Sequence, residues 1–358
     1  MVESVRIESA KIESARDESS RLAARVRDAH LVAIASAFPE HVWDREASAR
    51  VLETCFPRIP RAEREERIEH AGVVERRRAF APDAIELRGA RELVRSRERL
   101  LDASAECARE LAGRAARLAL DASELPPDAI DTLVVADDAR CAGPGLGLRE
   151  RLELRRDLRS YSLDGRGAAS GANALGLAAS LAERGGTVLV VVVACAAPAF
   201  LAGDEREALL AAATRGDGAA AAVVAPSAHG WRFAAIGSWT APRAPASDEL
   251  LARHLPGALV RFLSEHERSL ADVGLHVVHG ATRATLERYG ELFRVHADGL
   301  RVSRDALADH GDLGAAALLA MLADASADPR ERVGPNEVLA VATGPGAQVE
   351  FLLFDRTA

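Results

Sequence analysis

The stretch LDGRGAASGANALGLAASL, from Leu163 to Leu181, reads as a Gly-rich turn feeding a helix. Gly165 and Gly167 permit the turn, and small side chains from Ala168 onward let the helix pack close to its neighbours. A strand, a tight turn and a buried helix start make a mount for a nucleophile, because orphan N–H groups there lower the pKa of a thiol. The residue on this mount is Ala168, whose methyl group cannot be acylated. Ser170 is no substitute, since two residues along a helix is a rotation of about 200°. Cys55, Cys107, Cys141 and Cys195 are scattered without paired spacing, so neither a disulfide framework nor a zinc site is indicated, and no metal is expected. Cys195 closes an apolar run and reads as a core residue. Gly165, Gly167 and Gly171 give GxGxxxG rather than GxGxxG, with no acidic residue at a strand end about 20 positions on, which disfavours dinucleotide binding.

The elements that must hold these residues alternate between strand and helix. HLVAIASAFP is expected as a strand, followed by a helix near Asp44–Cys55, an Arg/Glu-rich segment (Arg58–Arg78) and an amphipathic helix around Leu101–Leu120. IDTLVVADDA and TVLVVVVACAAPAFLA begin as buried strands; Cys141–Gly147 is expected as a loop, and GDGAAAAVVAP completes a first half. The second half echoes it: WRFAAIGSW, a helix over about Ser247–Glu267, GLHVVHG, the helix ATRATLERYGELF, a Gly-punctuated helix start over His310–Ala325, VLAVATGPG and QVEFLLFD. Two similar βαβ-rich halves, 21–226 and 227–358, suggest a duplicated layered α/β core. A doubly wound nucleotide-binding fold is the competing architecture. Residues 1–20 repeat ESVRI, ESAKI, ESARD and ESSRL; a five-residue period fits neither a helix face nor a heptad, so a mobile polar arm is expected.

Composition narrows the classes further. The 358 residues carry a net charge of −8, with 48% hydrophobic and 28% charged residues, which fits a soluble protein and argues against nucleic acid as a main partner. Lys11 is the single lysine, and every other cationic side chain apart from histidine is arginine. The longest apolar run, Thr187–Ala202, is too short to span a bilayer, and the first residues do not read as a secretory signal; a cytoplasmic protein is expected.

Five segments in order resemble the chalcone and stilbene synthase family, the type III polyketide synthases of the thiolase fold. They are GRGAASG (Gly165–Gly171), TRGDGAAAAVV (Thr214–Val224), VVHGATRATLE (Val277–Glu287), SRDALADHGDLGAAALLAML and ATGPGAQVEFLLF. The resemblance spans Leu31 to Asp355. It implies a five-layered αβαβα core and a homodimer, with the loop that holds Gly143 reaching toward the partner's cavity. It also implies acyl-CoA or malonyl-CoA as substrates and no cofactor. In the family a Cys takes the acyl group from coenzyme A, while a His and an Asn assist decarboxylation of malonyl-CoA.

Carried over by resemblance, the Cys becomes Ala168, the His is kept as His279 and the Asn becomes Asp312. An ionised carboxylate cannot donate to a forming enolate and repels it, which impairs family-type decarboxylation. Beside a carboxylate, however, a neutral His is a good general base. Arg215 replaces a gatekeeper Phe and can clamp a substrate carboxylate or pair with Asp312. Ala194 stands where the family has a Glu, Ala196 opens a stretch that usually carries hydroxyl or thiol cavity residues, and the segment between Trp239 and Asp248 is shortened. Gly344, Pro345 and Gly346 match the loop that floors the site. Arg64 and Arg67 match two residues that contact coenzyme A phosphates, with Ala71 at a third such position; a solvated helix face explains them equally well. His310 is expected only as a hydrogen-bonded helix-end residue. The expected function is acid–base work by His279 and Asp312 on a thioester or polyketide-like small molecule: cyclisation, hydrolysis or non-covalent acyl transfer. The alternatives are a non-catalytic partner of a Cys-containing homologue in a heterodimer, and a small-molecule binding protein anchored by Arg215.

Overall fold

The computed structural model describes residues 23–25, 28–84, 90–137, 147–195, 205–227, 229–241, 248–328 and 337–356. The polar arm at 1–20, Gly143, Ala196, Cys141 and most of the 239–248 segment lie outside the described residues.

The strands are β1 (Ala23–Arg25), β2 (Ala29–Ala37), β3 (His41–Asp44), β4 (Glu75–Arg78), β5 (Thr132–Asp137), β6 (Arg159–Leu163), β7 (Val188–Cys195), β8 (Asp217–Pro226), β9 (Trp231–Thr240), β10 (Val273–Val278), β11 (Glu337–Gly344) and β12 (Gln348–Asp355). The helices are α1 (Arg45–Cys55), α2 (Arg61–Ala71), α3 (Ala90–Ser123), α4 (Leu148–Arg151), α5 (Ala169–Ala182), α6 (Glu205–Thr214), α7 (Asp248–Glu265), α8 (Arg283–Phe293), α9 (Arg301–His310) and α10 (Ala317–Ala327).

Nine strands run in the order β10-β11-β12-β9-β2-β8-β7-β5-β6, with β1 added to β9, while β3 and β4 form a separate hairpin. The β2–β9 joint is only His30↔Arg232 and Leu31↔Trp231, so the sheet divides there into two wings. β7 and β8 are buried along almost their whole length, as their unbroken apolar sequences require of strands covered on both faces. Alternation sorts their side chains: Val190, Val192, Ala220 and Ala222 face the central cluster with α5 and α10, whereas Leu189, Val191, Ala219 and Ala221 face α3. The other wing repeats this arrangement. Val277, Ala340 and Leu352 join the central cluster, and Leu339, Val341 and Leu353 pack against α7 and α8. The layers are therefore helix, sheet, helices, sheet, helices, the five-layered αβαβα core.

The central layer tolerates no bulk. A Cβ on Gly171 of α5 would lie 2.4 Å from the Ala315 carbonyl oxygen, so α5 needs its small residues where the halves meet. Two expected elements differ from the observed ones. The long helix extends to Ala90–Ser123, and His310 does not start a helix but closes α9. The chain breaks at Gly311, whose φ of 71° and closeness to the Thr214 carbonyl require glycine, and helix α10 begins only at Ala317.

Candidate active site

The turn before α5 is built as expected. Gly165 and Gly167 have φ of 71° and 51°, Ala168 caps α5 and is nearly buried, and the Ala169 and Ser170 amides donate to the Arg166 and Gly167 carbonyls at 3.1 and 3.0 Å. The Gly344–Gly346 loop presses on this turn. A Cβ on Gly344 would lie 2.6 Å from the Arg166 carbonyl oxygen, and one on Gly167 would meet the Pro345 ring at 3.2 Å. Ala168, Gly344 and Pro345 are therefore assembled at one place. Ser170 is fully buried, and its hydroxyl has no hydrogen-bond partner among the described residues.

His279 follows β10 and is held by its amide, which donates to the Val341 carbonyl of β11 at 2.9 Å. Val341 and Gly344 are three residues apart on β11, roughly 10 Å, so one strand end carries both the imidazole and the loop under Ala168. The ring Nε2 lies 3.0 Å from Asp312 Oδ1. Asp312 sits in the break between α9 and α10, where its amide donates to the Thr214 carbonyl at 2.8 Å and its carbonyl accepts from Gly216 at 3.1 Å. Its Oδ1 also accepts from the Gly314 amide at 2.8 Å, and its Oδ2 lies 3.2 Å from Arg215 Nε. Burial pushes the Asp312 carboxyl up, but the Arg215 guanidinium, the His279 ring and the Gly314 amide together hold it well below the usual carboxylate range.

An ionised carboxylate only accepts, so the proton of the His279–Asp312 bond belongs to Nε2, and whenever the ring is neutral its lone pair lies on Nδ1. That Nδ1 is buried and has no hydrogen-bond partner among the described residues. His279 borders a cavity of about 200 Å³ whose walls include Leu255, Thr282, Tyr289, Val341 and Thr343. Ala168 and Arg215 are not among its lining residues. Among the described residues, no group of His, Cys, Asp or Glu side chains is arranged to hold a metal ion, and no helix is long and apolar enough to cross a membrane.

A family described as FAE1/Type III polyketide synthase-like protein matches residues 52–235, just over half of the chain. The chain belongs to this family. Comparison with curated proteins finds no match. Among solved structures, the crystal structure of a fungal type III polyketide synthase, ORAS, superposes with a TM-score of 0.78 over 92% of this chain and 100% of that one. At 17% identity, this likeness shows the thiolase-like fold.

Other residues of this type III polyketide synthase-like chain lie where the sequence did not indicate. Arg64, expected at a phosphate contact, is turned inward: its Nη1 donates to the Phe56 carbonyl at 3.2 Å and also to that of Ile59. Those carbonyls lie in the turn between α1 and α2, so the buried guanidinium braces the turn instead of meeting solvent. Arg67 is exposed on α2, and Ala71 is buried. Ala194 is buried in the central apolar cluster, and Cys195 is buried at the end of β7. The His310 ring stacks on Phe38 with centroids 4.1 Å apart. Three charged groups escaped the sequence reading. Arg76 and Arg78 are almost fully buried behind Arg215, and Asp217 lies 3.4 Å from Arg78. The alternation in ERRR (Glu75–Arg78) and the acid opening β8 were the available signals.

Proposed function

We propose that the chain is a divergent type III polyketide synthase-like enzyme that acts on an acyl thioester or polyketide-like small molecule without a covalent Cys intermediate. The supporting observation is the 3.0 Å contact between His279 Nε2 and Asp312 Oδ1, with Asp312 tied to Arg215. Asp312 orients the ring and stabilises the imidazolium that forms. His279 Nδ1 takes the proton from a water or from a carbon beside the substrate carbonyl. Ala168 supplies no nucleophile, and an ionised Asp312 opposes enolate formation by malonyl decarboxylation. Hydrolysis, cyclisation or direct acyl transfer therefore fits better than chain extension. The cavity beside His279 is the proposed approach for the thioester, with Arg67 the remaining candidate for coenzyme A phosphates. Arg215 as a free carboxylate anchor is not favoured, because its Nε is committed to Asp312. A cytoplasmic homodimer with halves divided at 226/227 completes the proposal.

The test is thioester turnover followed with intact-mass spectrometry. His279→Ala should lose about 10²–10⁴-fold in rate, the usual worth of a general base. A fully active His279→Ala variant, or a stable acyl adduct on the parent protein, overturns the reading.

A further inference from the structure

The hairpin strand β4 places Arg76 and Arg78 on one buried face, where two guanidiniums are costly unless they do something specific. They meet the end of α6. A helix leaves its last carbonyls without intrahelical partners, and here three successive ones are taken by different donors. Arg76 Nη1 takes the Ala213 carbonyl, the Asp312 amide takes that of Thr214 at 2.8 Å, and Arg78 Nη1 takes that of Arg215 at 2.9 Å. Beyond them, Asp217 receives Arg78 at 3.4 Å and the Ala79 amide at 2.8 Å. A Cβ on Gly216 would fall 1.9 Å from the His310 carbonyl oxygen, so the segment has no freedom on that side either. Residues 213–217 are thus gripped from both edges, by Asp312 on one and by β4 on the other.

We propose that Arg78, together with Asp217, is a positioning residue for the acid–base pair. It fixes the main chain of Arg215, which sets the reach of that guanidinium to Asp312 and so the geometry of the His279–Asp312 bond. The inference rests on the functional reading above.

The experiment is NMR of protein labelled with ¹⁵N-histidine, which requires no substrate. The readout is the His279 Nε2 proton, assigned with His279→Gln. In the parent protein this proton should be protected from water exchange by its bond to Asp312. The double variant Arg78→Met/Asp217→Asn removes both buried charges at once and should speed exchange by about tenfold or more, as Arg215→Met should. The indole proton of Trp43, which donates to the Phe80 carbonyl at 2.9 Å, reports whether the hairpin remains folded. Unchanged His279 exchange in a folded double variant, with loss in Arg215→Met, overturns the positioning role and leaves the acid–base reading intact. Absence of the protected proton in the parent overturns the acid–base reading itself. Should the double variant not fold, Arg78→Lys carries the test. Lysine keeps the buried charge but lacks the planar guanidinium fork that fixes these contacts, so exchange should lie between the parent and Arg215→Met, and exchange equal to the parent overturns the role.

Discussion

Two carboxylates of nearly equal burial lie in two parts of this molecule and are driven in opposite directions. Asp312, 3% exposed, holds Arg215 at 3.2 Å and accepts from His279 and the Gly314 amide, which outweighs burial and keeps its carboxyl well below the usual range. Glu350, 5% exposed, faces the α5 turn. Its Oε1 receives Ser238 at 2.9 Å, Gln348 at 2.6 Å and Asn173 at 3.4 Å, with Arg166 only at 3.7 Å. There burial prevails, and the carboxyl is pushed up. Desolvation alone does not decide charge: a close guanidinium does, and neutral donors with a more distant, more exposed one do not. The His279–Asp312 side is organised by charge, whereas the turn side is organised by packing and neutral hydrogen bonds.

The strongest way to break this contrast is Asp312→Asn. Turnover should fall by about 10²–10⁴-fold as the ring loses its anionic partner. A folded-state pKa below the unfolded value contributes stability that is full above about 3.9 and is lost as pH falls toward the folded value. Melting temperature measured from neutral to acid pH should therefore decline less steeply in the variant than in the parent. An unchanged acid limb would mean that Asp312 is not the charged member of the pair.

Packing dominance at the turn is tested by Gly171→Ala. The added methyl meets the Ala315 carbonyl oxygen at 2.4 Å, and overpacking of this kind costs about 1–3 kcal/mol. Denaturant unfolding should show that loss equally at pH 5 and pH 8. A pH-dependent loss would show that the turn is coupled to the charged side.

A smaller effect of opposite sign belongs to Glu350→Gln. A folded pKa raised above the unfolded value gives a contribution that is full below about 4.3 and is lost as pH rises through the folded value. The amide avoids that loss, so the variant should equal or exceed the parent at pH 7, by less than about 1 kcal/mol. A clear destabilisation at pH 7 would place a needed negative charge at Glu350.

The sequence made one side of this contrast far more legible than the other. Unbroken apolar runs announced β7 and β8, and the glycines of GRGAASG and TGPG announced the turn and its floor, because these positions are constrained by packing. His279 and Asp312 were indicated by their motifs, and the Arg215–Asp312 contact is one of the two roles that the sequence left open for Arg215. Arg64, Arg76, Arg78 and Glu350 were misplaced or missed for a common reason: charged residues on a short helix or strand look solvated until tertiary structure supplies carbonyls and counter-charges. The misread start at His310 has another cause: Gly311 ends α9 with a φ of 71°, and the Thr214 carbonyl and Gly216 amide that crowd it come from a distant part of the chain.

The finest test asks whether the turn still works as a mount. Ala168→Cys adds one sulfur at a nearly buried helix start. The introduced thiol should be activated by the start of α5. By contrast, burial pushes the Cys55 thiol up to about 12, and Cys195 is enclosed at the end of β7. Limited iodoacetamide labelling followed by peptide mass spectrometry should therefore modify position 168 before Cys55 or Cys195. An acyl thioester should also leave an adduct there that the parent never forms. Labelling at position 168 no faster than at Cys55 would mean that the turn keeps the shape of a nucleophile mount without its electrostatics, and the packing side would then be scaffold alone.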